Sequence, residues 1–297
     1  MIGSWKLAAL RFIGHQHYIK RGRDRILRTF QHPDTSPSIP FEIPFFGMRY
    51  AGNLNDFIDW SVFFYGAFSR NELDLLRDAA AVLRKQDRTP LNFYDIGANV
   101  GQHSLFMSQH ADHVYSFEPF AGVRSKLLEK ITLNNLTNVT IFPVGLGNVS
   151  TELDFFEPSG AGKGLGSFIV APQADCRVQK LPVWNGDEFL KNNGLPRIDI
   201  IKIDVEGFEF RVISGLRERL NKDRPVILME ISSATRTEMV SESVLRRHLY
   251  PDAAIFEVDA VNISSSYRSR PFDFENGKEI LIVPCENTAL LDLANVR

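Results

Sequence analysis

The sequence predicts an α/β fold: a seven-stranded, mostly parallel sheet with helices on both faces and a C-terminal antiparallel hairpin. Three observations predict it. An apolar strand over 93–96 turns at Gly97 and Gly101 into a helix. An acidic residue, Glu118, ends the next strand about twenty positions later. From position 91 onward, strand-like and helix-like segments alternate, which is typical of a parallel sheet covered by helices.

The individual elements follow from apolar spacing and turn residues. We expect strands near 92–96, 114–117, 139–144, 199–203 and 226–231, and helices near 102–110, 121–134, 186–192 and 208–220. Upstream, the pattern predicts a short strand over 45–50 and an amphipathic helix over 72–86. Residues 254–258 and 280–283 read as two more strands joined by a long polar loop, which indicates the closing hairpin.

Composition indicates one large domain with an extension. The 297 residues are 44% hydrophobic and 24% charged. We place a basic N-terminal extension and a Pro-rich linker at 1–44 and the main domain at 45–297. Seven basic residues and one acidic residue lie within 1–30, with apolar residues between them. This segment is either a solvated basic helix packed on the domain, or residues 1–33 make peripheral contact with an anionic membrane surface.

Charge and cysteine content narrow the setting. A formal net charge of −2 gives no overall attraction to nucleic acid. Cys176 and Cys285 are too few for a disulfide framework. The opening segment lacks the apolar length and cleavage site of a signal peptide. We therefore expect a cytoplasmic protein, peripheral to the inner face of the membrane if its N-terminus binds lipid.

The turn after the first parallel strand has the chemistry of a nucleoside site. Gly97 permits the tight reversal, and Gly101 lets the backbone approach a ligand. Asp95 can hold the loop through its amides or meet a cationic group. Glu118 can accept hydrogen bonds from both hydroxyls of a ribose. These features together predict a cofactor that contains adenosine.

The spacing of the glycines discriminates between cofactors. A dinucleotide fingerprint requires glycine at two positions where this chain has Asn99 and Gln102. Close approach of a pyrophosphate is therefore not provided for. A cofactor without phosphates is favoured, and S-adenosylmethionine is such a molecule.

Acidic residues follow the strand over 198–203, at the sheet edge where ligands of open α/β proteins bind. Asp204 or Glu206 could act as general base toward an acceptor alcohol. Alternatively, both could join Glu230 in an all-oxygen site for Mg²⁺, Mn²⁺ or Ca²⁺, or could cap the following helix. His103 is a further candidate base, with a helix-surface histidine as the alternative.

Several strings together resemble the FkbM-type S-adenosylmethionine-dependent methyltransferases. They are Asp95-Ile96-Gly97-Ala98-Asn99-Val100-Gly101, Phe117-Glu118-Pro119, Ile201-Lys202-Ile203-Asp204-Val205-Glu206-Gly207-Phe208-Glu209 and the strand over 280–284. The Lys-x-Asp-Val-Glu-Gly-x-Glu string is the most specific of them. The resemblance covers residues 45–285, including an aromatic stretch at 63–68.

The resemblance implies a class I methyltransferase (Rossmann-like) fold and O-methylation of a hydroxyl on a sugar, glycolipid or natural-product acceptor. Carried over by position, it implies that S-adenosylmethionine is bound by Asp95, Gly97, Asn99, Gly101, Glu118 and Gly145. The chain departs from the family pattern at Gln102-His103, where aromatic residues are expected, and at Asn185-Gly186-Asp187, where Thr-Leu-Asp is usual. These departures concern the acceptor side of the site.

Two other function classes stay open. An NAD-type oxidoreductase is disfavoured by Asn99. A catalytically silent protein that binds S-adenosylmethionine is disfavoured by Asp204, Glu206 and Glu230 at the sheet edge. The glycine-rich run over 160–167 lacks the ending of a phosphate loop, so we expect either a lid over the acceptor or a flexible insertion.

Overall fold

The structure, a computed structural model, describes residues 4–16, 22–35, 37–157, 166–169, 177–262 and 266–294. The helices in these ranges are α1 Ser4–Gly14, α2 Arg23–Phe30, α3 Phe57–Tyr65, α4 Arg70–Lys85, α5 Gln102–Met107, α6 Ala121–Leu133, α7 Gly186–Asn192, α8 Glu209–Gly215, α9 Arg217–Asp223, α10 Ser233–Met239, α11 Glu242–Arg246 and α12 Thr288–Ala294. The strands are β1 Pro40–Phe45, β2 Met48–Asn53, β3 Asn92–Ile96, β4 His113–Phe117, β5 Val139–Phe142, β6 Gly145–Gly147, β7 Thr151–Phe156, β8 Val178–Asn185, β9 Ile200–Ile203, β10 Val226–Glu230, β11 Ala253–Asn262, β12 Ser266–Pro271 and β13 Glu279–Pro284.

A mixed sheet with strand order β12-β11-β13-β10-β9-β3-β4-β5 forms the centre of the molecule. Five neighbouring strands, β10, β9, β3, β4 and β5, are parallel to one another. Strand β13 lies between β10 and β11 and is antiparallel to both. This confirms the predicted α/β fold. Within the described ranges the sheet has eight strands rather than the predicted seven, because part of the polar loop forms β12 and pairs with the edge of β11.

Apolar side chains cover both faces of this sheet. Every residue of β3 and β9 is buried, as expected for parallel strands between two layers of helices. Ile200 packs in the cluster that contains α4 and α5, and the next residue, Ile201, packs in the cluster that contains α8. Burying each such side chain contributes roughly 1.5–3 kcal/mol. The strand ends that carry the polar residues are thus held on a rigid base.

Two predicted elements differ from the structure. The predicted strand over 45–50 is interrupted by a hairpin turn at 46–47: residue 45 ends β1, and residues 48–50 begin β2. Phe46 and Gly47 both have positive φ, 46° and 84°, which suits a tight hairpin turn. The predicted domain boundary between residues 44 and 45 falls inside β1. The predicted helix over 208–220 is divided into α8 and α9 at the fully buried Leu216.

The N-terminal helices pack on the rest of the protein. Leu10 of α1 and Leu27 of α2 are buried in the same cluster as α3. Arg23 is also buried, and its guanidinium donates to the Gly14 carbonyl and lies 4.7 Å from the Tyr65 ring centre. The segment is thus packed on the domain through these side chains, while its contact with a membrane through its outward side chains stays a prediction. Among the described residues, no helix is long and apolar enough to cross a membrane.

A second, small sheet has the order β6-β8-β7. It was not predicted from the sequence. Most of the glycine-rich run over 160–167 lies outside the described residues, because the structure does not describe 158–165. Gly166 and Ser167, which follow it, are described, and Ser167 forms a bridge to Phe156 of β7.

Candidate active site

The carboxyl ends of β3, β9 and β10 border a cavity of about 300 Å³. Its wall consists of the glycine turn after β3, the residues after β4 and the acidic residues after β9 and β10. Aromatic side chains from α3 and from the neighbourhood of the small sheet complete it. The cavity therefore lies at the edge where ligands of open α/β sheets bind.

The glycine turn packs directly against the end of β9. Gly97 and Gly101 have φ values of 84° and 86°. A Cβ at Gly97 would lie 1.9 Å from the carbonyl oxygen of Asp204, and one at Gly101 would lie 2.2 Å from Leu127 Cδ1. Only glycine satisfies both the conformation and the space at these positions. The turn thereby brings the predicted cofactor loop against the acidic segment.

Glu118, directly after β4, is held by two backbone amides. Its Oε2 accepts from the Asn99 N–H at 2.9 Å, and its Oε1 accepts from the Phe120 N–H at 2.8 Å. Burial raises the pKa of Glu118 to about 7, although both hydrogen bonds act in the opposite direction. Each oxygen keeps a second lone pair. The carboxylate can thus still accept from two hydroxyls of a ribose.

Three of the predicted cofactor residues, Asp95, Gly101 and Gly145, lie outside the cavity wall. Asp95 is buried beneath the turn, and its Oδ2 accepts from Ser104 Oγ at 2.5 Å. Its Oδ1 has no hydrogen-bond partner among the described residues. Gly145 lies in β6, where a Cβ would approach Val183 Cγ2 to 3.3 Å. Gly101 packs against Leu127. Asp95 supports the loop from below, and contact of these three residues with a cofactor stays a prediction.

Asp204, Glu206 and Glu230 all face the cavity. Lys202 Nζ donates to Asp204 Oδ2 at 2.7 Å. Burial, reinforced by the negative charge of Asp204, raises the pKa of Glu206 to about 7 and that of Glu230 to about 8. These values lie near neutral pH, where a carboxyl group can both accept and donate a proton.

Glu209, which the sequence analysis did not single out, organises the turn after β9. Its Oε1 accepts from the N–H groups of Val205 and Gly207 at 3.0 and 3.1 Å. Its Oε2 accepts from the Thr235 hydroxyl. The amides around Gly207 are therefore satisfied by Glu209 rather than by Asp204 or Glu206, and α8 has no side-chain cap.

His103 is not a helix-surface residue. Its side chain is buried, lines the cavity, and has Nε2 at 3.2 Å from Glu72 Oε2 of α4. Burial alone would raise the pKa of Glu72, but His103 and the charge of Lys202 lower it below its ordinary value. A histidine beside a buried carboxylate stays a candidate base.

Gln102, at the predicted departure from the family pattern, joins the turn to the aromatic stretch upstream. Its amide accepts from the Phe68 N–H at 2.7 Å and donates to the Phe68 carbonyl at 2.8 Å. Phe68 and Phe57 both line the cavity, with ring centres 5.7 Å apart. The family pattern has aromatic residues at positions 102 and 103. In this chain Phe57 and Phe68, which precede the core sheet in the sequence, supply aromatic rings to the cavity wall.

An α/β sheet with a glycine turn after β3, a buried carboxylate after β4 and acidic residues after β9 defines an S-adenosylmethionine-dependent class I methyltransferase. More specifically, the chain belongs to the FkbM methyltransferase family. The family model described as methyltransferase FkbM domain matches residues 95–255, more than half of the chain. This confirms the resemblance found in the sequence, and it favours a methyl donor over a nicotinamide dinucleotide.

Curated relatives include the hexuronic acid methyltransferase AglP of Haloferax volcanii, 28% identical over 181 residues, which are 59% of this chain and 70% of AglP. The 2-O-methyltransferase NoeI of Sinorhizobium fredii is 25% identical over 169 residues, 52% of this chain and 68% of NoeI. Among solved structures, an S-adenosylmethionine-dependent methyltransferase from Agrobacterium tumefaciens aligns with a TM-score of 0.46 and 14% identity, over 85% of this chain and 72% of that one.

Proposed function

We propose that this methyltransferase methylates a hydroxyl oxygen of a polyhydroxylated acceptor: a sugar, a glycolipid or a hydroxylated natural product. The observation that carries the proposal is the group of acidic side chains after β9 and β10, which share one cavity with the glycine turn. Carboxylates accept hydrogen bonds from hydroxyl groups, and aromatic rings pack on the apolar faces of sugars. The names of AglP and NoeI, a hexuronic acid and a 2-O-methyltransferase, agree with this class of acceptor.

Bound S-adenosylmethionine would supply an electrophilic methyl group, with its ribose held by Glu118. The chain has to orient the acceptor oxygen and receive its proton. We assign the proton acceptor to Asp204, with Glu206 and Glu230 as neighbouring carboxyls that exchange protons near neutral pH. His103 is the second candidate for the same role.

The test combines labelled S-adenosylmethionine with a panel of uronic acids, other saccharides and host lipid extracts, and detects labelled product by mass. Asp204→Asn should lower turnover by roughly 10²–10⁴-fold, as expected for loss of a general base, with cofactor affinity nearly unchanged. Asp154→Asn is the matched control, because that aspartate pairs with Lys180 on the surface. Equal turnover in the two variants would remove Asp204 from the mechanism. Cofactor binding without any turnover would favour the silent binding protein.

A divalent metal ion fits the residues poorly. Ligand oxygens of Asp204, Glu209 and Glu230 lie within 4.8 Å of one another. Glu206, predicted as a ligand, is not in this group. Both oxygens of Glu209 already accept hydrogen bonds, and one oxygen of Asp204 is held by Lys202. We therefore assign no step to a metal.

We also propose a cytoplasmic location with peripheral contact between residues 1–33 and the inner face of an anionic membrane. Seven basic residues and one acidic residue give 1–30 a formal charge of +6, in a chain whose net charge is −2. Trp5 and Phe12 of α1 are 70% and 68% exposed, and Phe30 of α2 is 63% exposed. Exposed aromatic side chains beside basic ones favour binding to anionic lipid.

Sedimentation with vesicles tests this contact. The double variant Trp5→Ser, Phe12→Ser should lose most binding to anionic vesicles, since each buried aromatic contributes roughly 1.5–3 kcal/mol. The double variant Trp184→Ser, Val240→Ser removes exposed apolar side chains elsewhere and should bind normally. Identical binding by the two variants would contradict the proposal.

A further inference from the structure

We propose that the ammonium group of Lys202 takes the place of a metal ion in this site and acts as a positioning residue that holds Asp204 toward the acceptor. The proposal rests on the proposed O-methylation for its catalytic part. Its electrostatic part, a resident cation among the carboxylates, can be tested without any acceptor.

The position of Lys202 in the sheet is unusual for a lysine. It lies in β9 with β3 on one side and β10 on the other, and its side chain is 3% exposed. A lysine is almost never fully buried unless it is paired. Here Nζ donates to Asp204 Oδ2 at 2.7 Å and borders the cavity. The pair therefore connects the interior of the sheet to the cavity wall.

Carboxylates from several elements act electrostatically on this one cation. Besides Asp204, Lys202 interacts electrostatically with Glu72 of α4, Asp95 of β3 and Glu279 of β13. Burial would by itself lower the pKa of Lys202, but these negative charges outweigh it and raise the pKa above its ordinary value. An ammonium paired with Asp204 at the cavity wall supplies the positive charge that a divalent ion supplies in an all-oxygen site.

The pairing also orients Asp204. Its Oδ2 is engaged by Lys202, which leaves Oδ1 as the oxygen that can accept from an acceptor hydroxyl in the cavity. The side chain of Asp204 is 33% exposed and lines the cavity, whereas the side chain of Lys202 is 3% exposed. A carboxylate held at one oxygen by a fixed charge loses less freedom when it binds substrate, which is the benefit of preorganisation.

The first experiment measures Mn²⁺ binding by electron paramagnetic resonance, in the full chain with S-adenosylhomocysteine present. Wild type should show no saturable Mn²⁺ site in the micromolar range, because Lys202 already compensates the carboxylates. Lys202→Met should create a Mn²⁺ site, and Asp204→Asn added to Lys202→Met should remove it. Stoichiometric Mn²⁺ binding by wild type that is lost in Asp204→Asn would overturn the proposal, even if Lys202→Met does not fold.

The second experiment measures kinetics with an acceptor from the panel. Lys202→Met should lower kcat about 100-fold, the typical cost of removing one preorganised charged group, while KM for S-adenosylmethionine changes little. Lys202→Arg should restore part of kcat, since it keeps the charge. Lys180→Met, which breaks the exposed pair with Asp154, is the control and should not change kcat. Wild-type turnover should survive EDTA.

The outcomes separate the two proposals. A wild type that transfers no methyl group to any acceptor contradicts the proposed function, while the Mn²⁺ measurement still decides the role of Lys202. Turnover abolished by EDTA and restored by Mn²⁺ would overturn the role of Lys202 and leave O-methylation intact. Equal falls in kcat for Lys202→Met and Lys202→Arg would show that the charge is not what Lys202 contributes.

Discussion

Replacement of Gly97 by alanine tests the turn on which the whole site depends. The φ of 84° at Gly97 is left-handed, which costs roughly 1–2 kcal/mol for a residue with a side chain. The new Cβ would lie 1.9 Å from the Asp204 carbonyl oxygen, and real Cβ contacts essentially never fall below 3.0 Å. Because backbone is in the way, the turn or the end of β9 must move, which costs roughly 1–3 kcal/mol more. We expect a total destabilisation of about 2–5 kcal/mol.

Gly194→Ala is a matched control for this substitution. Gly194 also has a positive φ, 61°, but a Cβ there would meet nothing within 4 Å. Only the conformational cost of roughly 1–2 kcal/mol applies to it. In a domain of this size 1 kcal/mol corresponds to about 2–4 °C in Tm. Gly97→Ala should therefore lower Tm by roughly two to three times as much as Gly194→Ala.

Two measurements check the reasoning. Thermal unfolding without cofactor compares the stabilities of the two variants, and titration calorimetry compares their affinities for S-adenosylmethionine. Displacement of the turn in Gly97→Ala should weaken cofactor binding by about tenfold or more, equivalent to about 1.4 kcal/mol, while Gly194→Ala should bind as wild type does. Equal losses of Tm together with equal affinities would refute the packing of the turn against Asp204 as the basis of the site.

Gln102→Met should destabilise the protein by roughly 1–3 kcal/mol in a denaturant titration, because it leaves the Phe68 N–H and carbonyl without their partner. The control Gln86→Met removes an exposed amide pair and should cost under about 0.5 kcal/mol in the same measurement. The stability of the cofactor-free protein should fall as pH rises from about 5 to 8. The pKa values of Glu118 and Glu230 are raised to about 7 and about 8 in the folded state. In this pH window the folded state therefore binds more protons than the unfolded state. Glu230→Gln should flatten this slope, and an unchanged slope in thermal unfolding would contradict the assignment.

Local patterns were sufficient to predict the core of the site. The turn at Gly97 and the carboxylate at Glu118 follow consecutive strands, so their spatial proximity is a consequence of parallel pairing between β3 and β4. The same reasoning places Asp204 and Glu230 at one sheet edge, since β9 and β10 are also parallel neighbours. Alternation of strands and helices was enough for these relations because each one involves adjacent strands.

Relations between distant elements were not predictable in this way. Glu72 comes from a helix that precedes the core sheet, and its contact with His103 depends on how α4 packs over α5. Lys202 reads in the sequence as one polar residue in an apolar strand. Its importance depends on carboxylates contributed by separate elements, among them Glu72 and Glu279. The one available signal was the lysine itself, since a charged residue inside an otherwise apolar strand requires a partner.

The deviation from the dinucleotide fingerprint at Asn99 now has a structural explanation. Asn99 adopts a φ of 51°, the left-handed conformation that asparagine tolerates better than most residues, so the loop needs no glycine there. Its N–H donates to Glu118, the carboxylate assigned to the ribose. Asn99 lines the cavity, where a glycine would leave more room for a pyrophosphate, while its backbone N–H still forms the bond that holds Glu118. The same residue thus disfavours a dinucleotide and supports an adenosine cofactor without phosphates.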